Sequence, residues 1–137
     1  MKVSQGSTMR ILRRIFRDEE GSATIEGLLW LPLFVGLMGI TVDVSMVFNA
    51  HARIKGVLED VDRAYSVGRL ESTTQVEERV SALLAHYGDN VTVTTTEIDG
   101  IIGTTVTVPM SKLVATKFLP KLLDMNLTVQ DYRYKEA

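Results

Sequence analysis

From Gly27 to Val42 the chain carries no charge, and after Asp43 the apolar character resumes from Val44 to Phe48. At about 1.5 Å per residue the first stretch makes roughly 24 Å of helix, and the extension brings it to bilayer thickness. A single membrane span over about residues 27–48 follows. Asp43 near its outer end reads as a solvated boundary residue, or else as an intramembrane polar partner for a neighbouring cation. Pro32 lies inside this helix, where it removes the bond to the Leu28 carbonyl and kinks or loosens the rod. Gly36 and Gly39 lower rigidity further, or admit a second helix.

Beyond the span the pattern stays helical while its chemistry changes. Val47, Ala50, Ile54, Val57, Val61, Ala64 and Gly68 recur at spacings of three and four, and Arg53, Lys55, Glu59, Asp60, Asp62, Arg63 and Arg69 fill the other positions. This predicts one helix over residues 22–69, leaving the membrane as an amphipathic rod. Its apolar stripe packs on the protein's own small domain or forms a seam against neighbouring subunits. Glu71-Ser72-Thr73-Thr74 reads as a break and a new N-cap, followed by Val76, Val80, Leu83, Leu84 and Tyr87 at helical spacing and a stop at Gly88. From Val91 the period becomes two. Residues 91–98 and 101–108 predict a hairpin around Asp99-Gly100, Pro109 ends it, Ser111 to Leu119 suits a short helix closed by Pro120, and Leu127 to Tyr134 suits a third strand. The fold class is α+β: a long N-terminal transmembrane and amphipathic helix, then a small domain over residues 70–137 with an antiparallel β-hairpin plus a third strand. That domain is marginal alone and needs the long helix as part of its core.

A chain of 137 residues leaves no room for two substantial cores, and without cysteine the fold rests on packing alone. Net charge is only −2, but its distribution is uneven. Lys2, Arg10, Arg13, Arg14 and Arg17 precede Asp18, Glu19 and Glu20, and the apolar run follows. By the positive-inside rule, residues 1–21 form a basic cytoplasmic leader and everything after about Phe48 is exported. A basic run abutting a hydrophobic span is not expected to bind nucleic acid.

Within "EEGSATIEG", Gly21 allows the close backbone approach that a membrane protease requires. Cleavage between Gly21 and Ser22 would create an α-amino group at Ser22, one helical turn from Glu26, or within reach of that residue on a neighbouring subunit. A carboxylate at the membrane edge costs a few kcal/mol on insertion scales, and pairing with the amine offsets it. Glu26 is therefore expected to set assembly register rather than to catalyse. Basic leader, Gly21, Ser22-Ala-Thr-Ile-Glu26, apolar helix and small C-terminal domain together resemble a type IV prepilin-like protein. The early proline in "GSATIEGLLWLPLF" and the segment "AHARIKGVLEDVDRAYSVGRL" most resemble the TadE-like pseudopilins of the tight adherence (Flp) pilus system. The likeness covers residues 17–70 in detail and is architectural beyond them. It implies cleavage after Gly21 by a membrane aspartyl prepilin peptidase, N-methylation of Ser22, and a minor role in pilus assembly at the bacterial inner membrane. Its implied partners are other pilin or pseudopilin subunits and the assembly machinery. Family members often carry an aromatic residue after the glutamate; here Gly27 follows.

Other candidates are weaker. Ala50-His51-Ala52 fits a small-x-small signal cleavage, but the apolar region is long for a signal peptide and contains Asp43. His51 and His86 lack partners at metal-binding spacing, and no nucleophile-base arrangement or phosphate loop is visible. Tyr132-Arg133-Tyr134 decorates a strand. No cofactor, metal, small-molecule substrate or enzyme activity is expected. The alternative reading of the same pattern is an uncleaved single-pass anchor carrying a periplasmic binding or scaffold domain.

Overall fold

The computed structural model describes residues 19–118 and 124–136. The basic leader through Asp18 lies outside the described residues, as do Leu119 and Pro120, the expected end of the short helix. Two compact units divide the chain, Met1–Met38 and Gly39–Ala137. Helix α1 (Glu19–Ser66) runs through both, and helix α2 spans Thr73–Leu83. Strands β1 (Thr92–Ile98), β2 (Ile101–Pro109) and β3 (Asn126–Tyr134) form an antiparallel sheet in that order. The α+β class and the hairpin plus third strand expected from the periodicity are therefore present.

In the first unit, the side chains from Ile25 to Val35 are all exposed, and Trp30 and Phe34 stack with ring centroids 6.2 Å apart. Helix α1 continues through Pro32, which has no N–H to offer the Leu28 carbonyl.

In the second unit, Ala50, Ile54, Leu58, Val61 and Tyr65 of α1 face Ile102, Val106 and Val108 of β2 and Val129 of β3, with Val76, Val80 and Leu84 closing the core. The apolar stripe thus packs on the protein's own sheet, and the compact domain begins at Gly39 instead of residue 70. Ala64 and Gly68 end differently. The helix ends at Ser66, short of the expected Arg69: Gly68 adopts φ +77°, and the Arg69 N–H donates to the Ala64 carbonyl to close it.

Local chemistry explains the remaining joints. The Ser72 hydroxyl accepts from the Gln75 N–H, and the Gln75 side chain accepts from the Glu71 N–H, a reciprocal cap on α2. Asp99 and Gly100 both have positive φ, which the tight hairpin requires. The open edge of β1 is covered where the Thr95 N–H donates to Glu77 at 2.7 Å.

The expected helix from Ser111 to Leu119 does not form. A single 3-10 turn, Met110–Lys112, is followed by irregular chain. The N–H groups of Ala115 and Thr116 donate to Asp43 Oδ1 at 3.0 and 2.8 Å, and the Thr116 hydroxyl donates to Oδ2 at 2.6 Å. A carboxylate distant in sequence takes the donors a helix would have used, and Lys117 turns at φ +53°.

Candidate functional site

The residues singled out by sequence fall in two places. Gly21, Ser22, Glu26 and Pro32 lie on the first stretch of α1, and Asp43 lies within the second unit. The backbone around Gly21 and Ser22 is helical, and a Cβ at Gly21 would meet no atom within 4 Å. Glu26 is exposed, at the head of the exposed run that includes Leu28, Leu29, Leu31 and Leu33. Among the described residues no ion pair includes it. Among the described residues one helix is long and apolar enough to cross a membrane, and only 11% of its apolar window is buried within the protein. A core helix of a soluble fold would be covered along such a window; this one presents its apolar side chains outward.

Asp43 is 1% exposed, not the solvated boundary residue expected from its place in the run. Its carboxylate accepts three near-ideal hydrogen bonds from residues 115 and 116, with a longer one from the Phe118 N–H at 3.4 Å. The Thr116 hydroxyl also lies 3.5 Å from the Gly39 carbonyl, and the Phe118 ring sits where a Gly39 Cβ would be in contact at 3.6 Å. Gly39 thus packs against an aromatic ring of its own chain at a distance that would also admit a Cβ. With Asp43 satisfied by this loop, no neighbouring cation is needed to balance it.

One further polar group was hidden among the charges that fill the helix positions off the stripe, and another lies on β1. Asp62 is fully buried and accepts from the Thr104 hydroxyl at 2.6 Å, while Thr104 and Thr95 touch at 3.2 Å. Burial pushes the Asp62 carboxyl up to about 6; the Thr104 bond opposes the rise, the Asp131 carboxylate adds to it and the Arg133 guanidinium subtracts. Asp62 Oδ2, Asp131 Oδ2 and Arg133 Nε are buried without a hydrogen-bond partner among the described residues. Two residues further along β1 from Thr95, Tyr65 donates to Glu97, which also pairs with Lys135 at 2.9 Å. Those two bonds, from Tyr65 first and Lys135 second, hold the Glu97 carboxyl below its usual range. Only the period of the stripe could have flagged Asp62, since Leu58, Asp62 and Tyr65 share the helical face of Val61.

A groove of about 510 Å³ opens between α1 and two 3-10 turns, Ala85–Tyr87 and Met110–Lys112, with Arg53, His86 and Lys112 among its lining residues. His86 is exposed and stacks on Tyr87 with centroids 4.0 Å apart, and His51 is half-buried. Among the described residues no three His, Cys, Asp or Glu side chains stand together as a metal site. On the outer sheet face the exposed Tyr132 ring lies over Gly103, where a Cβ would come within 2.9 Å of it. The chain matches no family model, no curated protein and no solved structure.

Proposed function

We propose that the protein is a minor pilin-like subunit of the TadE-like kind, made as a membrane-inserted precursor and cleaved after Gly21 by a prepilin peptidase. The observation that carries this reading is the uncovered apolar surface of α1 from Ile25 onward, headed by Glu26, on a helix whose later turns form the core of a small domain. Such a helix serves as a membrane anchor before assembly and as a packing surface afterwards. In this reading the N-terminus is cytoplasmic and the domain from Gly39 onward is periplasmic. Helical backbone at Gly21 and Ser22 must open locally for a protease to act, and glycine lowers the cost of that opening by about 1 kcal/mol relative to alanine. The new Ser22 amine pairs with Glu26 of the same or a neighbouring subunit and sets axial register.

Intact mass of the membrane-extracted protein tests the processing step, with loss of residues 1–21 as the expected result. A chain found only at full length would favour an uncleaved single-pass anchor with a periplasmic binding or scaffold domain. Replacing Glu26 by alanine tests the assembly step. Processing should persist while pilus biogenesis fails, and undiminished surface fibres would remove Glu26 from that role.

A further inference from the structure

We propose that the groove beside α1 binds an anionic phospholipid from the leaflet on the small domain's side, the acyl chain lying along its floor and the phosphate held at its far end. The inference rests on the membrane-anchored part of the reading above and does not depend on cleavage. Four observations converge on it.

The groove is long in one direction, mostly apolar, and carries the cation of its helical wall at one end. Val42, Met46, Ala50 and Arg53 follow one another on a single face of α1, at spacings of four, four and three. At the standard rise they cover roughly 16 Å. Leu113 completes the apolar floor, and Lys112 and His86 join Arg53 on the lining. Among the described residues no acidic side chain lines the groove, so the cations meet no counter-charge from them there.

The direction matches a lipid. Along α1 the lining runs from Thr41, Val42, Ser45 and Met46 through Asn49 and Ala50 to Arg53, so the cation of this helix comes last. A phospholipid in the bilayer has the same order, with its chain inward and its phosphate outward.

The level also fits. The Asp43 carboxylate and the backbone of Ala115, Thr116 and Phe118 form a polar cluster that must lie at or outside the hydrocarbon boundary. Val42, at the groove's inner end, directly precedes that carboxylate. Around this level Val42, Val44, Met46, Phe48 and Phe118 all remain exposed, the surface of a domain whose lower rim dips into the interface.

The size is that of a site for a single small ligand or one extended chain. A free inorganic anion would use the cationic end and leave the apolar floor in water. A helix from a neighbouring subunit would have to bring an acid to Arg53 and Lys112.

The test uses the full chain, extracted in detergent and examined by native mass spectrometry after exposure to mixed micelles of phosphatidylglycerol and phosphatidylcholine. Phosphatidylglycerol should be retained over phosphatidylcholine by about thirtyfold, the size of effect that two basic contacts near a lipid phosphate supply. In the Arg53→Gln, Lys112→Gln double variant the preference should fall to near parity. Both side chains are exposed, so the fold should be kept, and an unchanged circular dichroism spectrum of that variant checks it. A second variant, Met46→Glu, places a charge on the floor and should lower retention of both lipids. Equal retention of the two lipids by the natural chain would overturn the proposal, as would a preference that the double variant keeps. Displacement of phosphatidylglycerol by millimolar inorganic phosphate would reassign the groove to free anions. A dimer lost on replacing Arg53 would reassign it to a second copy. Lipid retained on an uncleaved chain would sink the pilin reading alone, and a processed chain without lipid preference would sink this inference alone.

Discussion

Asp62 decides how the small domain responds to pH, because it is ionisable, fully buried and satisfied on one oxygen only. The groups facing it are Thr104 on β2 and Asp131 and Arg133 on β3, and Lys55 of its own helix lies 3.5 Å from Asp131. With its carboxyl raised from 3.8 to about 6, the folded state holds the proton more tightly than the unfolded chain does. The stability Asp62 contributes is therefore fully present below pH 3.8 and is lost as pH rises through about 6. At about 1.4 kcal/mol per tenfold change in proton affinity, the loss is on the order of 3 kcal/mol. Asp62→Asn keeps the acceptor for Thr104 and removes the charge. Its unfolding free energy should match that of the natural chain near pH 4 and exceed it by about 1–3 kcal/mol at pH 7.5. Denaturant unfolding of both chains across that range checks the sign, and a pH-independent difference would contradict it. Glu97 acts in the opposite sense: its carboxyl is held low by Tyr65 and Lys135, so its contribution is present above the unfolded value of 4.5 and fades as acid is added. Comparing the two chains at each pH cancels that second effect.

At the scale of elements, whatever local chemistry determines could be read from sequence. The Ser72 cap, the Asp99-Gly100 turn and the period-two strands all form where residue type and spacing place them. What could not be read depends on partners distant along the chain. The segment after Pro109 has helical composition, yet its N–H groups turn to a carboxylate 72 and 73 residues away. Asp62 looked like part of a charged face because a buried aspartate is uncommon and its partner Thr104 sits on a strand 42 residues later. Arg53 and Lys112 carry no signal in sequence, since their groove exists only once α1 and the 3-10 turns meet. The Asp43 clasp can be broken by Asp43→Ala, which strips three backbone N–H groups and one hydroxyl of their acceptor. Hydrogen bonds to a charged group are worth about 1.5–3 kcal/mol each, but several of these donors reach water once released, so a total near 3 kcal/mol is expected. The local readout is sharper than the global one. Trypsin should cut after Lys117 at least tenfold faster in the variant, because the exposed loop is no longer tied to α1. Equal cutting rates would show that the loop holds its course without Asp43.

At the scale of the whole molecule, the boundary suggested by composition and the boundary of the core differ. The sequence changes character near Arg69, where the amphipathic pattern ends, yet the compact unit begins at Gly39. The reason is that α1 supplies Ala50, Ile54, Leu58, Val61 and Tyr65 to the core, and without them the inner sheet face of Ile102, Val106, Val108 and Val129 has only α2 over part of it. Burying a side chain of this kind stabilises by about 1.5–3 kcal/mol, so the helix contributes roughly 10 kcal/mol, as much as a small domain's entire net stability. A fragment over residues 70–137 should therefore not fold. A fragment over residues 39–137 retains the whole core cluster, the Asp43 clasp and the Asp62 site. It should unfold cooperatively within a few degrees of the full chain in the same detergent, because every described member of the core cluster lies within it. Calorimetry of both fragments checks this directly. A folded 70–137 fragment would mean the sheet stands without α1, and a 39–137 fragment lacking a transition would mean that the first stretch of α1 supports the domain in a way the core packing does not reveal.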